Sequence, residues 1–504
     1  MTFLDWSIVG AYLIGMVAVG VWLARRQRSS DDYFRAGRRV PAWAAALAIV
    51  ATSVSAATFL GAPEAAYNGN LTYLAVNIGQ ALAVVIVVTF FIPAFFRANV
   101  TTVYQLLARA QGPGAQRACS AAFMIGRTFA SGARLYMAAI PVSLIAFGDL
   151  SDGHMILAVA IVAVVSIAYT LMGGVEAVVW TEVPQAIIFI LAALTLIVLL
   201  LQRIDAPLAD IVSALGAATA PDGSSKLTLL DARADPSLDF TIWSALIGFT
   251  LFNLAIYGAD QDLAQRMLSC RNAFQGGKSV VMSMVIGLGV AALFLIIGLL
   301  LYTFYTRPDL TGAVHERPAD SRQVILDFIL AECPAGARGL MIAGVFAAAM
   351  SSLASSLTSL SSTIVCDYYR PFRPTRTEAH YVAVSRAAVI LWGAALTAVA
   401  VACMRWQQSS GMGLLTFAIG VMIFAYAGIL GVFLAAIFTR RGNSLSAALA
   451  LLAGAGAVFL AQKPHLVGLK DLTLSLGWWM LVGTTASFLV CIAGRRHHSV
   501  EPSP

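Results

Sequence analysis

Long apolar runs separated by short polar segments make up most of the chain. About thirteen of these runs contain roughly 20 predominantly apolar residues, the length of a helix that crosses a bilayer. The pattern therefore predicts an all-α polytopic membrane protein with about 13 transmembrane helices.

The composition agrees with this prediction and excludes other classes. Of the 504 residues, 59% are hydrophobic and 11% are charged, whereas soluble domains carry roughly 25% charged residues. The net charge of +7 does not indicate nucleic-acid binding, because basic residues concentrate at the cytoplasmic ends of membrane helices. The six cysteines and six histidines are scattered, so neither a disulfide framework nor a transition-metal site is expected.

Six basic residues lie between the first and second apolar runs: Arg25, Arg26, Arg28, Arg35, Arg38 and Arg39. Cytoplasmic loops are enriched in Lys and Arg, so this loop is predicted to be cytoplasmic and the N-terminus to lie outside. With thirteen crossings, the C-terminus lies in the cytoplasm. We expect a multi-pass protein of the plasma (inner) membrane.

Two of the apolar runs are interrupted by polar and small residues. The second run reads IVATSVSAATFLGAPEAAY over residues 49–67, and a later one reads FNLAIYGADQDLAQRML over residues 252–268. Helix breaks at membrane depth occur where the freed backbone lines a cavity or packs on protein. Two broken segments in corresponding halves indicate a transporter built from inverted repeats. The alternative for each segment alone is a kinked packing helix.

Hydroxyl side chains are concentrated in residues 351–363, where nine of thirteen residues are Ser or Thr. Ala348, Ser352, Ser355 and Ser359 follow a spacing of i, i+4, i+7 and i+11, which places them on one face of a helix. Such hydroxyls serve helix packing in some proteins. In others they coordinate a hard cation, which prefers neutral oxygen ligands with few charges. This segment alone leaves both interpretations open.

Ionisable residues also occur inside the predicted spans. Glu182 lies in the span after a Gly-Gly turn, and Arg127 and Arg134 lie in an earlier span. Such groups are costly in a membrane and usually face a partner or a wet cavity. The alternatives are that the arginines extend to the cytoplasmic interface, and that Glu182 pairs with one of them.

Five segments in the same order carry a resemblance to a known family: DDYFRAGRRVPAW (31–43), ATSVSAATFLG (51–61), GGVEAVVWTEVPQ (173–185), QDLAQRML (261–268) and SSLASSLTSLSSTIVCDYY (351–369). Over residues 5–437 the chain resembles the sodium:solute symporter family, which includes sodium–glucose, proline, monocarboxylate and sialic-acid cotransporters. The resemblance implies a LeuT-type inverted-repeat fold. It divides the chain into an extra N-terminal helix (1–30), two five-helix repeats (31–204 and 205–440), and two C-terminal helices with a short tail (441–504).

The resemblance also implies a main sodium site, with Na⁺ as the coupling ion. Its ligands would be the backbone carbonyls of Ala51, Val54 and Ala348 and the hydroxyls of Ser351 and Ser352. Relatives with a second cation site build it from an acid and hydroxyls. The corresponding positions are Glu182 and Ser355, with Ala354 in place of a further hydroxyl, so we expect one sodium per cycle.

The substrate pocket implied by the resemblance is closest to that of the sialic-acid transporters. It would contain Ser53, Ser55, Thr58, Asn77 and Arg127, with the arginine binding a carboxylate through its planar fork. Positions used by sugar-carrying relatives add Asn253 and Thr416, of which only Asn253 keeps the residue that those relatives have.

The sequence therefore predicts a secondary active transporter, not an enzyme, that couples sodium entry to import of a small polar organic solute by alternating access. A sugar acid such as sialic acid or another carboxylate is favoured, and a sugar or polyol is the alternative within the family. An ion channel would need a continuous polar pore, and a membrane sensor would need a signalling domain. Membrane lipid and the solute are the expected partners, and no motif specifies an oligomeric state.

Overall fold

Apolar segments fold as helices in lipid because every backbone N–H and C=O must then be satisfied within the segment. The computed structural model describes residues 1–24, 30–171, 174–318, 320–439, 441–468 and 472–495. Within these ranges eleven helices are long and apolar enough to cross a membrane, and counting each of two bent helix pairs as one span gives thirteen. The predicted all-α architecture is confirmed. The predicted orientation rests partly on Arg25, Arg26 and Arg28, which lie outside the described residues. Gly173, in the Gly-Gly turn before Glu182, also lies outside them.

The membrane helices and the halves of the two bent spans are, in chain order, α1 (Phe3–Ala24), α2 (Ala42–Ser53), α3 (Ala56–Asn68), α4 (Thr72–Arg97), α5 (Pro113–Phe147), α6 (Asp152–Thr170), α7 (Val175–Ile204), α8 (Ile242–Gly258), α9 (Gln261–Leu268), α10 (Ala273–Thr306), α11 (Ala337–Phe372), α12 (Glu378–Ser410), α13 (Leu414–Phe438), α14 (Ser444–Gln462) and α15 (Leu476–Ala493).

Shorter helices occupy the connections: Ser30–Arg35, Gln105–Gln111, Leu208–Ala217, Pro308–Thr311, Val324–Glu332 and the single turns Ala36–Arg38, Ser321–Gln323 and Pro464–Val467. β-structure in the described ranges is limited to three isolated bridges.

Five spans lie in each of the ranges 31–204 and 205–440. The bent pair α2–α3 and helices α4 to α7 lie in 31–204, and the bent pair α8–α9 and helices α10 to α13 lie in 205–440. Helices α14 and α15 follow. The division into inverted repeats stays a prediction.

Helix α11 lies at the centre of the molecule. In its most apolar stretch 89% of the residues are buried, against 44% in α7 and α10. Small residues allow neighbouring helices to approach it. A Cβ added to Gly344 would lie 2.7 Å from the Cβ of Ala192 on α7, a distance that only glycine tolerates without a shift. The hydroxyl-rich segment of α11 is therefore held against other helices, not exposed to lipid.

Candidate functional site

The first helix break separates α2 from α3. Val54 has an extended backbone (φ −81°, ψ 119°), and the two halves meet at 63°. Ser55 caps α3, because its hydroxyl accepts a hydrogen bond from the backbone N–H of Ala57 at 3.3 Å. Because α2 ends at this break, the carbonyls of its last turn lack the usual intrahelical donors.

The second break separates α8 from α9, with a bend of 56°. Asp260 caps α9, since its carboxylate accepts a hydrogen bond from the backbone N–H of Asp262 at 2.8 Å. Both breaks border the same central cavity, because Val54 from the first and Asp260 from the second contribute to its wall.

The residues predicted for the main sodium site meet where α11 crosses the first break. The hydroxyl of Ser351 donates to the carbonyl of Ala51 at 2.8 Å and to that of Ala348 at 3.2 Å. The hydroxyl of Ser352 donates to the carbonyl of Thr52 at 3.3 Å. The set consists of buried, neutral, hard oxygens, which is the donor chemistry that an alkali cation requires. Ala51, Ala348 and Ser351 are thus brought together, Ser352 lies beside them, and Val54 lies at the break.

Glu182 and Ser355, predicted for a second cation site, are joined through Thr52. The Thr52 hydroxyl donates to Glu182 Oε1 at 3.2 Å and accepts from Ser355 at 3.2 Å. However, both carboxylate oxygens of Glu182 also accept hydrogen bonds from Arg266, at 2.6 and 3.2 Å. A protein cation therefore neutralises the acid at the position of the possible second cation site. The alternative pairing of Glu182 with Arg127 or Arg134 is wrong, because the bend at α9 brings Arg266 to it.

Five buried charged residues form a continuous ionic network: Glu182, Arg266, Asp262, Arg127 and Asp260. Each is at most 2% exposed, and buried charges of this kind persist only when they are paired. Asp262 is central, since it contacts Arg127, Ser355 and, at 3.1 Å, Arg266. Sequence reasoning missed Asp260, Asp262 and Arg266 as a group. The available signal was three charges within seven residues directly after a helix break.

Arg127 belongs to this network and also borders the cavity. Its guanidinium donates to Asp260 at 3.0 Å, to Asp262, to Ser356 at 3.0 Å and to Tyr426 at 3.3 Å. All three guanidinium nitrogens thus have protein partners, two of them carboxylates. In this conformation Arg127 ties α5 to α9, which differs from the expected role of binding a substrate carboxylate.

The central cavity has a volume of about 160 Å³, below the about 300–1,000 Å³ of most ligand pockets. Both helix breaks and helices α4, α5, α10 and α13 contribute to its wall. The predicted residues found on this wall are Ser53, Val54, Ser55, Thr58, Asn77, Arg127 and Asn253. The wall thus gathers polar groups from distant parts of the chain around one small cavity.

Thr416, which was also predicted for the pocket, does not lie on this wall. Leu415, Ala418, Ile419 and Met422 do, and their spacing of i, i+3, i+4 and i+7 defines one face of α13. Thr416 is one position past Leu415 and so lies about 100° around the helix from it. The placement of Thr416 in the pocket is corrected for this geometric reason.

Arg134 is a further cation on the cavity wall. Its guanidinium donates to the carbonyl of Thr52 at 3.4 Å and to the sulfur of Met422 at 3.6 Å, both long contacts. Within the described part of the chain it forms no ion pair. Unlike Arg127, it therefore presents to the cavity a positive charge that no carboxylate of the described residues contacts.

Comparisons with known proteins identify the family of the chain. The family model described as "SSF: Sodium:solute symporter family" matches residues 33–454. The chain belongs to the sodium:solute symporter family. The sodium/sialic acid symporter NanT of Aliivibrio fischeri is 30% identical over 464 residues, covering 91% of this chain and 88% of the relative. The human sodium/iodide cotransporter is 26% identical over 492 residues, covering 95% and 70%.

Solved structures support the fold of this symporter. A Na⁺-coupled sialic acid symporter in a substrate-bound outward-open state matches with a TM-score of 0.82 and 25% identity, covering 98% of this chain and 97% of that one. Mhp1, a nucleobase-cation-symport-1 family transporter in a closed conformation, matches with a TM-score of 0.55 and 15% identity, covering 92% and 93%; this second likeness concerns the fold alone. The LeuT-type fold is confirmed, and the symporter is a sodium-coupled secondary transporter, not an enzyme.

Proposed function

We propose that this symporter imports a small organic anion whose carboxylate binds Arg134, with a sugar acid such as sialic acid as the first candidate. The observation that carries the proposal is the guanidinium of Arg134, which borders the central cavity without a carboxylate partner in the described residues. Burial of such a cation becomes favourable when a bound anion pairs with it. The sodium/sialic acid symporters support a sugar acid, and the human sodium-coupled monocarboxylate transporter 1, 27% identical, supports carboxylates in general.

We propose that the oxygen cluster around Ser351 holds the coupling sodium. Ala51 and Thr52, whose carbonyls contact α11, directly precede the Ser53–Ser55 segment that lines the cavity. A sodium ion supplies one positive charge there, so that cation and monocarboxylate together add no net charge to a buried region. Either ion alone would add one unit of net charge to this region, and uncompensated buried charge is costly. Because Arg266 already neutralises Glu182, one sodium per cycle is the expected count.

The proposed orientation places the N-terminus outside and the C-terminus in the cytoplasm of a plasma (inner) membrane. Contacts bring several basic segments to one end of the molecule. Arg35 and Arg38 donate to Asn99 at the end of α4, and Arg117 packs on Phe372 at the end of α11. An end this rich in arginine is expected to face the cytoplasm.

Uptake by the purified protein in proteoliposomes tests the proposal. With an inward sodium gradient, labelled N-acetylneuraminate and a panel of monocarboxylates should include a substrate whose uptake saturates and needs sodium. Arg134→Gln should abolish that uptake, and Arg134→Lys should restore it poorly because an ammonium lacks the planar fork. Sodium-dependent thermal stabilisation should persist in both variants, showing that they fold and bind sodium. An uncharged substrate transported equally well by Arg134→Gln would contradict the proposal.

A sugar or polyol is the second candidate, favoured by the neutral polar groups on the same wall. Asn77, Gln80 and Asn253 all border the cavity, and the amide of Gln80 donates to the Tyr257 hydroxyl at 2.6 Å. These groups suit the hydroxyls of an uncharged solute. Including hexoses and polyols in the uptake panel decides between the two candidates.

A further inference from the structure

A second cavity lies at the arginine-rich end of the molecule, where the chain enters α2 and where α9 passes into α10. Its volume is about 400 Å³. We name it the basic cavity, and its lining residues are Arg39, Val40, Pro41, Ala42, Trp43, Arg271, Asn272, Gln275, Lys278 and Met282. It shares no lining residue with the central cavity. The proposed solute site therefore does not explain it.

The charge of the basic cavity is positive throughout. Arg39, Arg271 and Lys278 contribute three cations, and none of the described residues that line the cavity is acidic. Arg271 and Lys278 are exposed, and neither side chain forms a hydrogen bond or ion pair with any residue in the described ranges. Their charges are thus available to an anion from outside the protein.

Trp43 and Lys278 place the basic cavity at the expected level of the lipid headgroups. Trp43 is the second residue of α2 and is 47% exposed, with its ring 5.7 Å from that of Trp180. Exposed tryptophans at helix ends are typical of the membrane–water interface. Lys278 lies in the second turn of α10, from which a long side chain reaches the same level. Cations at headgroup depth beside apolar Trp43 and Met282 fit an amphiphile better than a soluble ion.

We infer that the basic cavity binds the phosphate headgroup of an anionic phospholipid. Basic pockets between membrane helices on the cytoplasmic side have this chemistry. Arg271 would donate hydrogen bonds to the phosphate oxygens through its planar fork, and Lys278 would attract them as a point charge. Trp43 and Met282 would contact the upper part of the acyl chains.

The position gives such a lipid a structural role. The backbone N–H of Val40 donates to the carbonyl of Ser269 at 3.2 Å, so the entry of α2 and the exit of α9 are already in contact. These are the ends of α2 and α9 that lie farthest from the two helix breaks. A lipid held by Arg271 and Lys278 and packed on Trp43 of α2 therefore adds a bridge between both broken spans.

Native mass spectrometry of the full-length protein tests the inference, with phosphatidylglycerol and phosphatidylcholine as probes. We expect specific binding of phosphatidylglycerol. Arg271→Gln or Lys278→Gln should weaken it about fivefold and the double variant about thirtyfold, from the attraction of one cation near an anionic surface. The matched control is Arg373→Gln/Arg376→Gln, which removes two exposed arginines from the turn between α11 and α12 and should leave the affinity unchanged.

Sodium-dependent thermal stabilisation shows that each variant is folded. Equal phosphatidylglycerol affinity in the wild type and the Arg271/Lys278 double variant would overturn the site. An equal loss of phosphatidylglycerol affinity in the Arg373/Arg376 control variant would show a general attraction to the basic surface and would also overturn the site. If soluble glycerol phosphate displaces phosphatidylglycerol at a comparable concentration, the cavity recognises free phosphate esters and the lipid assignment is wrong.

Discussion

The pair formed by Glu182 and Arg266 offers the sharpest test of the ionic network. Both oxygens of the acid receive guanidinium hydrogen bonds, yet the two residues are not equally placed. Arg266 also contacts a second acid, Asp262, at 3.1 Å. In the described residues, Glu182 forms an ion pair with Arg266 alone. Single substitutions of the two residues are therefore expected to have unequal effects.

The expected magnitudes follow from the groups that each substitution leaves behind. Arg266→Gln leaves Glu182 with the Thr52 hydroxyl at 3.2 Å, and stranding one member of a buried pair costs about 3–5 kcal/mol. Glu182→Gln leaves Arg266 paired with Asp262, so we expect only the loss of a charged hydrogen bond, about 1.5–3 kcal/mol. The double variant removes one charge of each sign and should recover about 0.5–3 kcal/mol relative to the sum.

Thermal unfolding of the purified variants in detergent measures this ranking. Arg266→Gln should lower Tm more than Glu182→Gln does, and the double variant should lower it by less than the sum of the two single variants. Sodium and charge counting in proteoliposomes adds a second measurement. Because Arg266 neutralises Glu182, the wild type should move one sodium per substrate, and Glu182→Gln should keep that count.

Two results would refute this reasoning. Equal destabilisation by Arg266→Gln and Glu182→Gln, with an additive double variant, would show that the charges do not interact as described. A wild-type count of two sodium ions that falls to one in Glu182→Gln would show that Glu182 holds a transported cation.

Ser351→Ala should raise the sodium concentration for half-maximal uptake about tenfold, or about 1.4 kcal/mol, because this hydroxyl contacts a carbonyl at the α2 break. Thr358→Ala is the control, since that hydroxyl bonds within its own helix; an equal sodium dependence of both variants would argue against coordination. Gly344→Ala should lower Tm by the equivalent of about 1–3 kcal/mol, because its Cβ would meet that of Ala192 at 2.7 Å, and an unchanged Tm would show that α7 and α11 are not so closely packed. In the loop before α8, burial lowers the pKa of Lys226 to about 8, below the usual value of about 10.4. The unfolded chain therefore binds more protons between those values, so the Tm of the wild type relative to Lys226→Met should rise with pH across that interval, and a constant difference would contradict the burial of this lysine.

The architecture could be predicted from the sequence because the bilayer imposes a length and a helical backbone on every crossing segment. Thirteen spans, including two broken ones, follow from apolar run length and from the polar interruptions near Ser53 and Asp260. The neutral oxygens of the cluster around Ser351 could also be predicted from the sequence. Serines at helical spacing on α11 could be paired with a helix break once a family resemblance supplied the partner segment.

The charged contacts depended on the tertiary structure. Pairing between buried ions is decided by distances of a few ångströms, and these depend on the bends at 63° and 56° and on helix rotation, neither of which a sequence pattern specifies. The bend at α9 places Arg266 beside Glu182 and places Asp260 and Asp262 beside Arg127. Arg134 is left facing the cavity. Likewise, one position along α13 separates Leu415 on the wall from Thr416 off it. The sequence by itself determined the number of spans and the presence of polar groups at membrane depth. Packing decided which of those groups neutralise one another, because a buried charge is stable only beside its partner.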